Sequence, residues 1–197
     1  MQPMEVKINA SVPRLNQQGT MRALRKISAV GKITYRVLGF QGDNTVKNEV
    51  IGRYLQADQQ SQSDSGLTIS PANYKFKLKG QRTVGDHEMA YVFQVSPRKK
   101  RVGLYKGELW LDSVSYLPVL EKGRLVKNPS VFFRHVDFER AFAIQNGVSV
   151  PAHMTSTINT RVVGIVELDI NYTAATEGDD EEAIEADTAS IASAALR

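Results

Sequence analysis

Tyr74, Phe76 and Leu78 alternate with Lys75, Lys77 and Lys79, so an extended chain through 73–80 sends apolar side chains one way and three ammonium groups the other. That is the pattern of a strand with one buried and one wetted face. It recurs at Met89, Tyr91, Phe93 and Val95, through Phe132, Arg134, Val136, Phe138, Arg140 and Phe142, and at Val166, Leu168, Ile170 and Tyr172. Strands are predicted at 5–12, 32–40, 46–56, 73–80, 88–97, 101–112, 116–126, 131–144, 147–160 and 162–172, with 21–27 reading as a strand or a short helix. Gly42, Asp43 and Asn44 tolerate positive φ and predict a tight hairpin between 32–40 and 46–56. The Gln/Ser/Asp-rich stretch 57–66 lacks periodicity and reads as an exposed loop or a short helix serving as a lid. Gly164, inside the last predicted strand, marks a bulge or a close backbone approach.

About ten strands with turn-like separators and no helical crossovers predict a mainly β fold: a curved antiparallel sheet forming an incomplete, half barrel with little helix. The 197 residues suit one such domain at 1–173, followed by an acidic, alanine-rich flexible tail at 174–197. A sheet with one apolar face and few helices must close on itself, gain a lid or hold a ligand. The candidate lining is Tyr35, Tyr74, Phe76, Tyr91, Phe93, Trp110, Phe132, Phe138 and Phe142. In a plain core the same side chains would each contribute about 1.5–3 kcal/mol by burial, so alternation by itself leaves both readings open.

Composition narrows the classes. No run reaches the roughly 18 apolar residues of a membrane-spanning helix, and residues 1–6 lack the basic, apolar and small-residue regions of a secretory signal. The chain as written is therefore expected to be cytosolic or to lack an upstream export segment. Absence of cysteine excludes disulfides and thiolate metal sites and fixes no compartment. Of 25 basic and 21 acidic residues, the tail holds one and seven, leaving 24 and 14 in residues 1–173. A basic body thus carries an acidic tail. A solvated β surface accounts for this most simply; attraction to anionic lipid and binding of nucleic acid are the other two readings.

The search for chemistry returns little. His87, His135 and His153 are scattered without metal-ligand spacing, and no nucleophile elbow, phosphate-binding glycine loop or dinucleotide fingerprint occurs. Carboxylates alternate with bases, Asp137 and Glu139 beside Arg140, and Glu167 and Asp169 further on, which suits cross-strand ion pairs better than acid/base catalysis. No enzyme activity, metal or cofactor is expected. Arg98, Lys99, Lys100 and Arg101 form the sharpest charge cluster, at a predicted strand corner after Pro97. With no aromatic platform interleaved, it fits an anionic surface contact, to lipid headgroups or an acidic protein, better than nucleic acid.

Gly107, Glu108, Leu109, Trp110, Leu111 and Asp112, followed by Tyr116, Leu117, Pro118 and Val119, resemble a strand-turn-strand of the LolA-like lipoprotein-carrier superfamily of bacterial envelopes, which includes outer-membrane lipoprotein-sorting proteins. Asn73–Phe76, Tyr91–Lys100 and Gly147–Pro151 follow the same strand order, so the resemblance spans about 30–173. It implies an unclosed antiparallel barrel with an apolar lining and a helical lid, carrying a lipid, acyl chain or lipoprotein through the periplasm without catalysis. The N-terminal part, however, offers no long amphipathic helix for that lid. An alternative is an envelope interaction module whose basic surface docks onto anionic membrane or an acidic partner.

Overall fold

The computed structural model describes residues 3–28, 31–61, 67–84, 88–128, 131 and 133–175. Ten strands make one sheet: β1 Met4–Val12, β2 Gln17–Ile27, β3 Ile33–Gly42, β4 Tyr74–Val84, β5 Glu88–Pro97, β6 Tyr105–Asp112, β7 Pro118–Leu125, β8 Phe133–Gln145, β9 Val148–Thr160 and β10 Ile165–Ala174. Their order is β3-β2-β1-β10-β9-β8-β7-β6-β5-β4, and every neighbouring pair is antiparallel. The expected open half-barrel of about ten strands is what the chain forms, with β3 and β4 as its two edges. Residues 21–27 belong to strand β2. Gly164, at φ +84°, lies just before β10, in the turn that follows β9. The tail beyond residue 175 lies outside the described residues.

The predicted hairpin at 42–44 and strand at 46–56 are corrected by the structure. Val46–Gly52 winds as a π-helical turn and Arg53–Ser61 continues it as helix α1. Val46, Val50 and Tyr54 recur every four residues, as do Ile51 and Leu55, which is helical periodicity embedded in a β-branched stretch. The turn-forming residues serve a different purpose. Gly42 adopts φ +120°, where an added Cβ would stand 2.3 Å from the Gln18 carbonyl oxygen. Asp43 then binds that strand end twice, its N–H donating to Gln18 O and its carboxylate accepting from Gln18 N, each at 2.9 Å. The chain is thereby pinned at the edge and sent over the face of the sheet rather than back along it.

Topology explains why a lid exists. Strands β3 and β4 follow one another in sequence yet stand at opposite edges, so the chain between them leaves one rim of the half-barrel and returns at the other, with 43–61 and 67–73 described. On the β1 side, Val46, Ile51 and Leu55 from this crossing segment pack onto Val6, Ile8, Met154, Leu168 and Ile170. On the β6 side, Leu67 and Ile69 rest on a second cluster formed by Tyr74, Val95, Leu104, Tyr105 and Leu109. Phe138 touches both clusters.

Candidate functional site

The register places one residue from each strand in a single row across the covered face: Leu78, Phe93, Leu109, Glu121, Arg140, Met154, Ile170, Ile8, Met21 and Phe40, from β4 to β3. Apolar side chains occupy eight of these ten places, and an ion pair sits in the middle, Arg140 Nη1 3.7 Å from Glu121 Oε2. Burial raises the Glu121 carboxyl above the usual range, and Arg140 only partly offsets it. Folding therefore favours the protonated acid. The resulting penalty is absent below the unfolded carboxylate value of about 4.3, appears as pH rises through it, and is complete above the raised folded value. The wild-type protein should accordingly lose more stability between pH 4 and pH 8 than Glu121→Gln does, measured as the change in melting temperature of each protein between the two pH values, whereas loss of the partner of Arg140 lowers the variant at both.

A second polar group joins the lid to the sheet. Arg25, on β2 and 5% exposed, faces Asp58 of α1, with Nε 3.4 Å and Nη2 3.5 Å from Oδ2. Tyr35 of β3 donates its hydroxyl to the same oxygen at 2.7 Å and accepts from Arg25 Nε at 3.1 Å. Burial alone would lower the Arg25 pKa, but Asp58 and Tyr35 more than reverse that, so the guanidinium stays charged. Burial and then Asp58 hold the Tyr35 phenol well above its ordinary range, keeping it a neutral donor. Between these groups Tyr54 of the lid and Tyr172 of β10 share a hydrogen bond of 3.0 Å. Tyr105, 4% exposed, has a buried hydroxyl without a hydrogen-bond partner among the described residues. Charged and phenolic groups thus sit within an otherwise apolar wall, each at a desolvation cost that a plain core does not incur.

The residues expected to line a cavity fall into several places. Tyr74 is fully buried and packed against Tyr105, whose backbone N–H donates to its hydroxyl at 3.2 Å. Phe76, 39% exposed, meets half-buried Phe93 edge-on at 6.4 Å, and neighbouring Leu78 is 55% exposed. Tyr91 stacks on Tyr116 of the β6–β7 turn at 6.2 Å. Phe138 lies edge-on to Tyr105 at 5.0 Å, and half-buried Phe142 stands opposite Pro151. Tyr35 belongs to the latch described above. Phe132 lies outside the described residues.

Trp110 is a correction: it points to the opposite face from its neighbours Leu109 and Leu111, donates Nε1–H to Glu108 at 2.9 Å, and carries Lys122 Nζ 5.2 Å from its ring centre. Its indole is the most apolar-looking feature of that strand, but the strict alternation assigns it outward. The outward face also carries a groove of about 710 Å³, lined by polar residues including Asn9, Ser11, Thr20, Thr155, Glu167 and Asp169. On the inward face the β1 half is filled by lid side chains, whereas the β4 rim, with Phe76 and Leu78, stands open.

The basic corner is partly structural. Arg98 donates Nε–H to Pro71 O and its backbone N–H to Asn73 O, which ties the end of the crossing segment to β5, while Lys99, Lys100 and Arg101 are exposed. The expected cross-strand ion pairs form with other partners: Asp137 takes a bidentate pair from Arg124 at 2.7 and 2.8 Å, leaving Arg140 for Glu121. Asp169 pairs with His153 at 2.9 Å. Among the described residues no group of three His, Asp or Glu side chains is arranged to hold a metal ion.

Arg25, Asp58, Glu121, Arg140, Tyr54 and Tyr172 were not among the sequence candidates. Phase alone could have found four of them: Arg25 is in step with Met21 and Ala23, Glu121 with Val119, Arg140 with Val136 and Phe138, and Tyr172 with Ile170. A charge in the buried phase of an alternating strand is the signal.

No protein-family model matches the chain, and no curated protein matches it. Two solved structures are similar to it. MucB is 13% identical, with 93% of this chain and 90% of that one covered and a TM-score of 0.32. A LolA superfamily protein, NE2245 from Nitrosomonas europaea, is 14% identical, with 89% of this chain and 86% of that one covered and a TM-score of 0.39.

Proposed function

We propose that the protein binds a lipid, an acyl chain or the acylated end of a lipoprotein, as a carrier in the bacterial cell envelope and without catalysing a reaction. The observation that carries this reading is the lid: a short crossing segment covers the apolar face of an open sheet and fills half of it with Val46, Ile51 and Leu55. These side chains occupy the space an alkyl chain would take. Exchanging them for a ligand keeps the wall dry, each buried methylene contributing about 0.8 kcal/mol. The exposed Phe76 and Leu78 extend the same apolar surface to the β4 rim, where a chain can enter. Lys75, Lys77 and Lys79 on the other phase of β4 keep that edge wetted.

Native mass spectrometry and organic extraction of the purified protein should reveal a bound amphiphile. Leu78→Asp should remove uptake of a fluorescent fatty-acid probe while shifting stability by no more than about 0.5 kcal/mol, since the site is exposed. A protein that carries no amphiphile and ignores the probe would refute the reading; unaltered uptake by L78D would move the entry point away from β4.

A second reading is favoured by the exposure of Lys99, Lys100 and Arg101 at the β5–β6 corner: docking onto an anionic membrane or an acidic protein partner. Such docking should fade as salt rises, because exposed charges are screened beyond about 10 Å at 0.1 M, whereas acyl-chain burial should be nearly indifferent. Cosedimentation with phosphatidylglycerol vesicles at low and high salt separates the two.

A further inference from the structure

We propose that the ligand has an anionic head, a carboxylate or phosphate, and that Arg25 and Tyr35 receive it in the place Asp58 occupies when the lid is closed. This rests on the acyl-chain reading above. The two donors belong to the sheet, Arg25 on β2 and Tyr35 on β3, whereas the acceptor they share belongs to the lid. A lid required only for packing would be served as well by an apolar residue at 25, because a buried ion pair gains little over a hydrophobic equivalent.

Opening the lid changes the electrostatics of the wall in one direction. Asp58 leaves with α1, while the guanidinium remains among apolar neighbours, in the same phase as Ala23 and Met21. An uncompensated charge there is costly, so the open state favours an occupant that brings its own anion. Arg140, the second cation facing this interior, is opposed by burial and supported chiefly by Glu121 of the sheet, with Asp58 the smallest contributor, so Arg25 is the cation that the lid's departure leaves without its partner. The planar guanidinium fork suits a carboxylate or a phosphate monoester, and the neutral Tyr35 hydroxyl supplies another donor to the same oxygen position. The apolar row crosses β2 at Met21, four residues along that strand from Arg25, which leaves the head and the alkyl chain in adjoining parts of one wall.

The test compares dodecanoate, dodecyl phosphate and dodecanol, each below its micelle concentration, with inorganic phosphate as the free anion, by displacement of a fluorescent fatty probe. Both anionic amphiphiles should bind at least about tenfold more tightly than dodecanol, the worth of one charge-assisted hydrogen bond. Arg25→Gln should level the three amphiphiles, whatever their common affinity becomes. Asp58→Asn should tighten dodecanoate more than dodecanol, because it removes the competing internal carboxylate. Equal affinity of the wild-type protein for dodecanoate and dodecanol would overturn the proposal, and this comparison stands even if R25Q does not fold. Displacement by inorganic phosphate alone would also overturn it, assigning the site to a free anion. Binding of none of the three amphiphiles would refute the carrier reading itself.

Discussion

Aspartate in place of Ile51 should free the lid without dissolving the sheet. Ile51 is fully buried between the crossing segment and β1 and β10, in the cluster with Val46, Leu55, Ile8 and Ile170. Loss of its burial costs about 1.5–3 kcal/mol, and a carboxylate confined there would add a further desolvation penalty. The lid has a cheaper response than the sheet: 46–61 can lift into water, whereas β1 is hydrogen-bonded on both sides, to β10 and β2. I51D should keep its far-ultraviolet strand signature, lose amide protection across 46–61 in hydrogen exchange, and take up a fatty probe at least about tenfold faster, the effect of removing roughly 1.4 kcal/mol from the opening step. Unchanged protection and uptake would show that Ile51 does not hold the cover down.

Gly107→Ala should be the most damaging single methyl in the described chain. Gly107 and Gly123 stand directly opposite one another on β6 and β7. A Cβ on Gly107 would lie 2.0 Å from Lys122 O and 2.6 Å from Gly123 Cα, and one on Gly123 would lie 2.4 Å from Lys106 O. These obstacles are backbone, so no rotamer change relieves them, and the two strands must separate. Overpacking of this kind costs about 1–3 kcal/mol and occasionally more, which for a domain of this size lowers the melting temperature by roughly 2–12 °C. Gly39→Ala is the control: nothing lies within 4 Å of its Cβ position, and its stability should stay within about 0.5 kcal/mol of wild type. Equal effects at 39 and 107 would refute the steric account.

How far the residues alone reach depends on how much of each contact is local. Alternation in Tyr74–Leu78, Met89–Val95 and Val166–Tyr172 is a property of each strand by itself, and these strands form where the pattern puts them. The segment 46–56 fails the same treatment because Val46, Val50 and Ile51 have β-branched side chains, which suit a strand, while their spacing suits a helix. Tertiary packing decided between the two: a helix buries Val46, Ile51 and Leu55 on a face that an added edge strand would have left bare. Trp110 fails for a related reason, since an aromatic residue draws an assignment inward even where its position in the alternation is outward. The candidate site was partly legible. Phe76 and Phe93 do share one face, but the polar residues of the same wall come from β2, β3, β7, β8 and the lid, and no local pattern joins Arg25 to Asp58, 33 residues away.

The sequence by itself determined most of the strands, their wetted and apolar phases, the basic body and the absence of cysteine chemistry, because each follows from side chains a few residues apart. Only the tertiary structure decided that consecutive β3 and β4 stand at opposite rims, that 46–61 lies over the apolar face, and that Arg25, Tyr35 and Asp58 meet beneath it. The physical reason is chain connectivity. Strand order is fixed by which edges pair across the whole sheet, and a free energy shared among ten strands and a lid leaves no signature at any one position.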